Sequence, residues 1–211
     1  MSSSRTDKKQ SRYHHGDLRH GLIERGRSSL KEGGVAKLSL RAVAADLGVS
    51  HAAAYHHFKN KDDLLTAIAV ATFAELERYQ RKILEKPYKD SIKRLQALAA
   101  AYIDFALSYP DEFRLMFSPQ LRSDKVRTEV EEAGRRVYQL LIGAVQDIKD
   151  EGTVLSTDVE QAAISLWTCV HGLASLILDG PLYRNAKTER GRKNLVSTSI
   201  TTALYGILTP D

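Results

Sequence analysis

Three residues near the end of the first quarter of the chain could read a nucleic acid: His51, Ala52 and Ala53. A histidine ring can hydrogen-bond the edge of a base. Alanine can only touch a thymine methyl group or allow a helix to approach closely. This chemistry requires that the three residues begin a helix that enters the major groove of duplex DNA.

The surrounding sequence predicts such an element. A first short helix begins at about Leu40, with Ser39 as its N-cap. Gly48 ends this helix because Gly adopts the left-handed backbone of a helix end at the least cost. Ser50 can cap a second helix, from His51 to about Phe58. Two helices joined by a short glycine-containing turn form a helix-turn-helix, and the second helix reads the DNA.

The same region resembles the DNA-binding domain of TetR-family transcriptional repressors. The resemblance lies in Tyr55, Phe58 and Lys61 at fixed offsets, in RYHHGDLRHGLI from Arg12 to Ile23, in a GG break at residues 33–34, and in KLSLRAVAADLGVS before the turn. It covers roughly the first third of the chain. Many residue types agree at fixed offsets, so the resemblance is specific.

The resemblance implies that Tyr55 and Lys61 contact DNA phosphates, with Ser39 and His56 as further contacts to the DNA backbone. Lys61 would begin a helix whose free N–H groups also suit an anion. Core packing is the alternative for Tyr55 and the preferred interpretation for Phe58. The complete set of expected DNA contacts is Ser39, Ser50, His51, Ala52, Ala53, Tyr55, His56 and Lys61.

Two positions depart from the family pattern. Many relatives have Pro where Ala54 stands and Arg where His56 stands. Alanine is favourable in a helix. His56 should be a weaker phosphate partner than Arg, because imidazole loses its charge near neutral pH.

The charge distribution agrees with a DNA-binding N-terminal region. Through Lys61 the chain carries 12 Lys and Arg against 5 Asp and Glu, whereas the remainder carries 19 against 21. A basic excess on the segment that holds the motif is the electrostatic footprint of nucleic-acid binding. The single cysteine, Cys169, allows no internal disulfide and fits a reducing cytoplasm. The sequence suggests neither a signal peptide nor a membrane helix.

Apolar periodicity predicts an all-α protein of about nine helices, without strand alternation or repeats. Residues 1–15 are expected to be a flexible basic arm, 16–61 a three-helix DNA-binding domain, and 62–211 an effector-binding and dimerisation domain. A helix from residue 62 would connect the two domains. Other expected helices cover residues 17–32, 124–149, 158–178 and 188–207.

A second resemblance lies in the C-terminal region. Trp167, His171 and Gly172 form W-x-x-x-H-G, and Phe113–Phe117 read FRLMF. Both resemble the "WHG" class of TetR ligand-binding domains. Trp167 and His171 share a helix face, where they could line a pocket or pack in the core or a dimer interface. The candidate pocket residues are Tyr102, Phe105, Phe113, Met116, Phe117, Tyr138, Trp167 and His171.

The aromatic and Met content of residues 102–117 favours an apolar, neutral or weakly polar effector. The absence of Arg and Lys within 158–178 argues against a strongly anionic one. The last two helices are expected to form a four-helix interface in a two-fold homodimer, which suits palindromic duplex DNA. Their small and apolar residues exceed what a single helical domain needs to cover. The expected interface residues are Ala174, Ile177, Leu178, Ile200, Ala203, Leu204 and Ile207.

These features predict a cytoplasmic, homodimeric repressor that a small molecule releases from operator DNA. A helix-turn-helix regulator without a small-molecule ligand, constitutive or controlled by a protein partner, is the alternative. An enzyme is a more distant one, because the sequence lacks a phosphate-binding glycine loop, G-x-S-x-G and H-E-x-x-H. Neighbouring histidines point in different directions on a helix, so neither a metal site nor a cofactor is expected.

Overall fold

The computed structural model describes residues 15–122 and 124–208, with side chains over 18–121 and 128–208. Its described part is all-α, which confirms the predicted class. The helices are α1 His15–Lys37, α2 Leu40–Asp46, α3 His51–His57, α4 Lys61–Leu84, α5 Ser91–Ser108, α6 Pro110–Met116, α7 Asp124–Asp150, α8 Val159–Asp179 and α9 Glu189–Ile207. Two short 3-10 turns cover Pro119–Arg122 and Pro181–Tyr183.

The chain divides into two compact units, one ending at Ile68 and the other beginning at Ala69. The boundary predicted from the sequence, before residue 62, lies several residues ahead of this division. The difference arises because the first turns of α4 pack into the N-terminal unit. Leu64 and Ile68 are fully buried. They approach α1 so closely that a methyl group on Gly26 would lie 2.9 Å from Ile68 Cδ1. The predicted flexible arm, apart from His15, lies outside the described residues.

The N-terminal unit consists of α1, α2, α3 and the start of α4. Gly34 interrupts α1 with φ 68°, at the predicted GG break. The turn between α2 and α3 is a Schellman motif. Its bonds run from Gly48 N to Ala45 O and from Val49 N to Ala44 O, each 3.0 Å long. Gly48 takes φ 67°, so this turn uses glycine for the reason that the sequence suggested.

The C-terminal unit is arranged around α5, which packs against α7, α8 and α9. Apolar side chains recur along α5 at helical spacing, and most of them are buried. Side-chain caps fix the starts of three helices. Asp90 accepts from Lys93 N at 2.7 Å, Asp158 from Gln161 N at 2.7 Å, and Thr188 from Gly191 N at 3.1 Å. The core also includes α6, whose Phe113 and Met116 are buried.

The expected interface residues on the last two helices need correction. Five of the seven are at most 5% exposed because they face the core of their own chain, and Leu178 and Ala203 are half-buried. The five are Ala174, Ile177, Ile200, Leu204 and Ile207. Apolar periodicity marks a helix face that is buried, but it does not distinguish burial within a chain from burial between chains.

A pair of glycine substitutions tests the turn between α2 and α3. Gly48→Ala should destabilise the protein by about 1–2 kcal/mol, because an L-residue is strained at this backbone conformation. Gly143→Ala is the matched control, since Gly143 lies inside α7 and an added methyl group there meets no atom within 4 Å. It should stabilise the protein by about 0.5–1 kcal/mol. Urea denaturation measures both, and equal effects of the two substitutions would contradict the assignment of the turn.

Candidate DNA-binding surface and C-terminal cavity

The outer face of α3 presents the residues that were expected to meet bases. Ser50 caps the helix, with its hydroxyl accepting a hydrogen bond from Ala53 N at 3.1 Å. His51 and Ala52 are exposed in the first turn, and Ala53 is half-buried. A capped first turn with exposed side chains is the part of a recognition helix that contacts base edges.

The inner face of α3 is closed by two apolar residues, Ala54 and Phe58, which are 0% and 2% exposed. The Arg19 guanidinium lies 5.3 Å from the centroid of the Phe58 ring and forms a cation–π interaction with it. Tyr55 and His56 point away from this face, and Tyr55 is 42% exposed. Phe58 is therefore a core residue as expected, whereas the exposure of Tyr55 disfavours core packing.

The turn from α3 into α4 is held by reciprocal caps. Asn60 Oδ1 accepts a hydrogen bond from Asp63 N at 2.8 Å, and Asp63 Oδ2 accepts one from Lys59 N at 2.9 Å. This arrangement is a variant of the capping box, in which Asp63 bonds the N–H one residue before the N-cap Asn60 instead of that of Asn60 itself. It fixes the backbone around Lys61, the half-buried first residue of α4. The N-x-x-D spacing was the available sequence signal, and the sequence analysis missed it.

Ser39 stands at the N-cap position of α2, but its side chain makes no capping hydrogen bond. The expected N-cap position is therefore confirmed, but the side-chain hydrogen bond of a cap is not formed. Ser39 is exposed, which leaves its hydroxyl accessible for contact with a backbone phosphate.

Arg25 ties α1 to α2. Its Nε donates to Asp46 Oδ2 at 2.8 Å, and its Nη1 donates to Glu32 Oε1 at 3.1 Å. The Glu32 and Asp46 carboxylates raise the pKa of Arg25. Lys37, Arg41 and Lys59 are exposed in the same unit, where they contribute positive potential without fixing a specific base sequence.

The C-terminal unit contains an apolar cavity of about 500 Å³. Side chains from α4 to α9 line it. Five of the eight expected pocket residues are among them: Tyr102, Met116, Phe117, Tyr138 and Trp167. A cavity of this volume with mostly apolar walls is typical of small-molecule sites.

The other three expected pocket residues do not line this cavity. Phe105 packs against the rings of Tyr79 and Tyr109, with centroids 6.3 and 4.8 Å away. Phe113 contacts the ring of Tyr102, with centroids 5.5 Å apart. His171 borders two neighbouring depressions instead. Helical spacing placed these residues near the cavity, but their own rotations on α5, α6 and α8 turn them away from it.

His171 does not line the cavity but contacts two residues of its wall, Tyr102 and Phe117. Its Nδ1 lies 2.9 Å from the Tyr102 hydroxyl, and its ring centroid lies 4.5 Å from that of Phe117. Burial lowers the pKa of His171 and raises the pKa of Tyr102, so both groups are neutral at physiological pH. The histidine thus holds a pocket tyrosine in place, whereas the sequence placed it among the residues that could line the pocket.

No catalytic arrangement is found in the described part of the unit. Burial raises the pKa of the Cys169 thiol, whose Sγ is 3.8 Å from Ser199 O, so the reactive thiolate is disfavoured. Over the described residues no three His, Cys, Asp or Glu side chains are grouped to hold a metal ion.

Comparison with known proteins connects both sites to one family. Residues 22–68 match the family described as bacterial regulatory proteins, tetR family, and residues 95–198 match the family described as tetracyclin repressor-like, C-terminal domain. Together the two matches cover more than two thirds of the chain. This protein belongs to the TetR family.

Individual relatives agree with this membership. HTH-type transcriptional regulators of Mycobacterium tuberculosis and Mycobacterium bovis are 30% identical over 100 residues. That alignment covers 46% of this chain and only 42% of each relative. A solved protein of unknown function from Rhodococcus sp. RHA1 is 31% identical, with a TM-score of 0.79 over 95% of this chain and 100% of the other.

More distant structures share the fold. A putative TetR-family regulator from Mesorhizobium loti is 17% identical, with a TM-score of 0.72 over 95% of this chain and 100% of the other. A putative transcriptional regulator from Pseudomonas aeruginosa is 23% identical, with a TM-score of 0.74 over 96% of this chain and 95% of the other.

Several cavity residues of this TetR-family chain were missed by the sequence analysis. Phe73 and Gln80 come from α4, and Val137 and Leu141 come from α7. Their spacing is that of an ordinary core face, and no sequence signal separates such a face from a cavity wall. Gln80 is the exception, because a glutamine on an otherwise apolar face is unusual and could have been noticed.

We expect the neutral Tyr102–His171 pair to make stability depend on pH. The folded pKa of His171 lies below the ordinary imidazole value of about 6.5, so the unfolded chain binds a proton more readily. The stability that depends on neutral His171 is therefore fully present above about pH 6.5 and is lost as pH falls towards the folded pKa.

Urea denaturation at about pH 7.5 and at pH values below about 6.5 measures this loss. His171→Gln should weaken the dependence on pH in this window, because glutamine does not titrate. The exposed His20 provides the matched control, and His20→Gln should leave the dependence unchanged. Identical pH profiles for wild type and His171→Gln would refute the assignment of this pair.

Proposed function

We propose that this protein is a cytoplasmic transcriptional repressor that acts as a homodimer. It binds palindromic duplex DNA through α2 and α3, and an apolar small molecule that enters the C-terminal cavity releases it. The observation that carries the DNA-binding part is the exposed, capped first turn of α3, which bears His51 and Ala52.

On DNA, α3 enters the major groove with His51, Ala52 and Ala53 towards the bases. Tyr55 and Lys61 contact phosphates, and Ser39 and His56 add further contacts to the DNA backbone. The exposure of Tyr55 and Ser39 and the fixed backbone around Lys61 support this assignment. These contacts position the protein, and His51 contributes the polar base contact.

The dimer forms through the uncovered face of α8, together with the adjacent outer face of α9. The most apolar window of α8 has a mean hydropathy of 1.4, and by length and composition alone the helix could cross a membrane. Only 39% of this window is buried within the chain. Ile164 and Leu176 on α8 and Tyr205 on α9 are exposed by 40%, 46% and 76%. Apolar surface of this kind gains free energy when a second copy covers it, and an isologous pair is the commonest symmetric solution.

The effector site is the C-terminal cavity. Its volume supports a ligand-controlled regulator over a constitutive one, because well-packed domains contain few voids of this size. Among the residues whose side chains the structure describes, no Lys, Arg or His lines the cavity, whereas Glu131 and Glu160 do. A strongly anionic effector is therefore disfavoured, and a neutral or weakly polar one fits.

Release requires that the ligand prefer a conformation that does not bind DNA, since equal affinity for both conformations would shift nothing. The helix α4 begins with Lys61 and contributes Phe73 and Gln80 to the cavity. A ligand that moves α4 would thus act on an element that also carries a phosphate contact.

A charge substitution tests DNA binding. Lys61→Ala should weaken binding to all sequences and reduce the slope of log affinity against log salt by about one unit, as the loss of one phosphate contact requires. Lys149→Ala, an exposed charge change near the end of α7, is the matched control and should alter neither value. Mobility-shift titrations at several salt concentrations measure both. Unchanged affinity and slope in Lys61→Ala would mean that the proposed docking is wrong.

A second substitution tests the dimer. Leu176→Glu places a charge in the uncovered face of α8 and should convert the protein to monomers at micromolar concentration, because burial of an unpaired carboxylate is costly. Val154→Glu is the matched control, since Val154 is 66% exposed and lies between α7 and α8. Analytical ultracentrifugation distinguishes the two states. A monomeric wild type, or a Leu176→Glu variant that stays dimeric, would contradict this interface.

A further inference from the structure

The most unusual group in the C-terminal cavity is the side chain of Gln80 on α4. Gln80 is only 4% exposed, and it lines the cavity among apolar and aromatic residues. Its Oε1 is buried and has no hydrogen-bond partner in the part of the chain that the structure describes. Buried polar atoms in folded proteins are almost always hydrogen-bonded. This oxygen is an exception that needs an explanation.

The tyrosine hydroxyl groups around the cavity, unlike the Gln80 amide oxygen, already have partners within the chain. The Tyr102 hydroxyl is paired with His171 at 2.9 Å. The Tyr138 hydroxyl donates to Glu160 O at 3.5 Å, near the limit of a hydrogen bond. Gln80 Oε1 is therefore the buried acceptor in the cavity wall that lacks a donor, and a ligand reaches it by a rotation of the terminal amide group. The remaining wall offers mainly apolar contact.

The wall also limits the charge of the ligand. Over the side chains that the structure describes, the lining contains no cationic group that could pair with an anion. Both of its carboxylates, those of Glu131 and Glu160, are on exposed residues. A charged head group beside Gln80 would lose its hydration without gaining a buried counter-ion. An uncharged donor avoids this cost and still forms a hydrogen bond with the amide oxygen.

We propose that the effector is an apolar molecule with one uncharged hydrogen-bond donor, a hydroxyl or amide N–H group, that donates to Gln80 Oε1. This inference rests on the proposed function of the cavity as the effector site, and it adds the anchoring atom and the chemical class. Gln80 acts as a specificity-determining residue, because a ligand without a donor leaves its Oε1 unpaired.

Two isomeric probes test the proposal. Primary n-decanol and methyl nonyl ether have the same atoms and similar apolar surface, but only the alcohol has a hydrogen-bond donor. Trp167, the single tryptophan of the chain, lines the cavity, so its fluorescence reports occupancy. Titration of the full chain, followed by Trp167 fluorescence and calorimetry, should give about tenfold tighter binding for the alcohol. Decanoate and decylammonium extend the series to charged head groups and should bind more weakly than the alcohol.

Variants assign the preference to one atom. Gln80→Leu should bind the two isomers equally, because leucine offers no acceptor, and should unfold at the same or a higher temperature, since it removes an unpaired buried amide. Gln96→Leu is the matched control. Gln96 lies on α5 outside this cavity, where its Nε2 is 3.4 Å from Thr201 Oγ1. This variant should keep the preference for the alcohol.

The outcomes separate this inference from the function on which it rests. If all four probes bind but the ether or a charged probe equals or exceeds the alcohol, the Gln80 anchor is wrong and the effector cavity stands. A preference for the alcohol that survives in Gln80→Leu also overturns the anchor. If no probe changes the Trp167 signal or releases heat, the effector cavity itself is refuted, and the anchor with it.

Discussion

The C-terminal unit depends on the requirement that α5 be covered on several sides. Its apolar residues occupy more than one face, so α7, α8 and α9 all pack against it. The side chains of these helices do not fill all of the space between them. The gap that remains beside Leu95, Leu98 and Ala99 is the cavity. The same packing that supplies the core therefore creates the candidate binding site. Its walls include the aromatic residues Tyr102, Tyr138 and Trp167, from α5, α7 and α8.

The N-terminal unit follows local rules to a greater extent. The left-handed Gly48, the Ser50 cap and the Asn60–Asp63 box lie within sixteen consecutive residues, and each fixes the backbone by a hydrogen bond or a permitted dihedral angle. Burial of Ala54 and Phe58 then sets the rotation of α3 about its axis. Together these constraints leave His51 and Tyr55 on the outer face. A surface built in this way needs few long-range contacts, which suits a small DNA-reading unit.

Polar groups in the C-terminal unit have different consequences according to whether they are paired. The Tyr102–His171 pair is neutral and hydrogen-bonded, so it stiffens the wall between α5 and α8. Gln80 Oε1 is buried without a hydrogen-bond partner among the described residues, which costs stability. In the proposal above, a donor on the ligand pairs with this oxygen. An unpaired acceptor in an apolar cavity thus lowers the free energy of unfolding, and in the proposal above it makes binding selective for a ligand with a donor.

The sequence alone determined the all-α class, the helix-turn-helix and its family, because these depend on short-range signals: helical periodicity, Gly48, caps, and residues at fixed offsets. It also indicated five residues of the cavity wall. It did not determine that Phe105, Phe113 and His171 turn away from the cavity. Nor did it determine that Ile200 and Leu204 are buried within their own chain, or that Gln80 is a buried polar residue of the wall. Those properties depend on how each helix is rotated against its neighbours. The tertiary structure decides that rotation, because apolar periodicity marks a buried face without specifying what covers it.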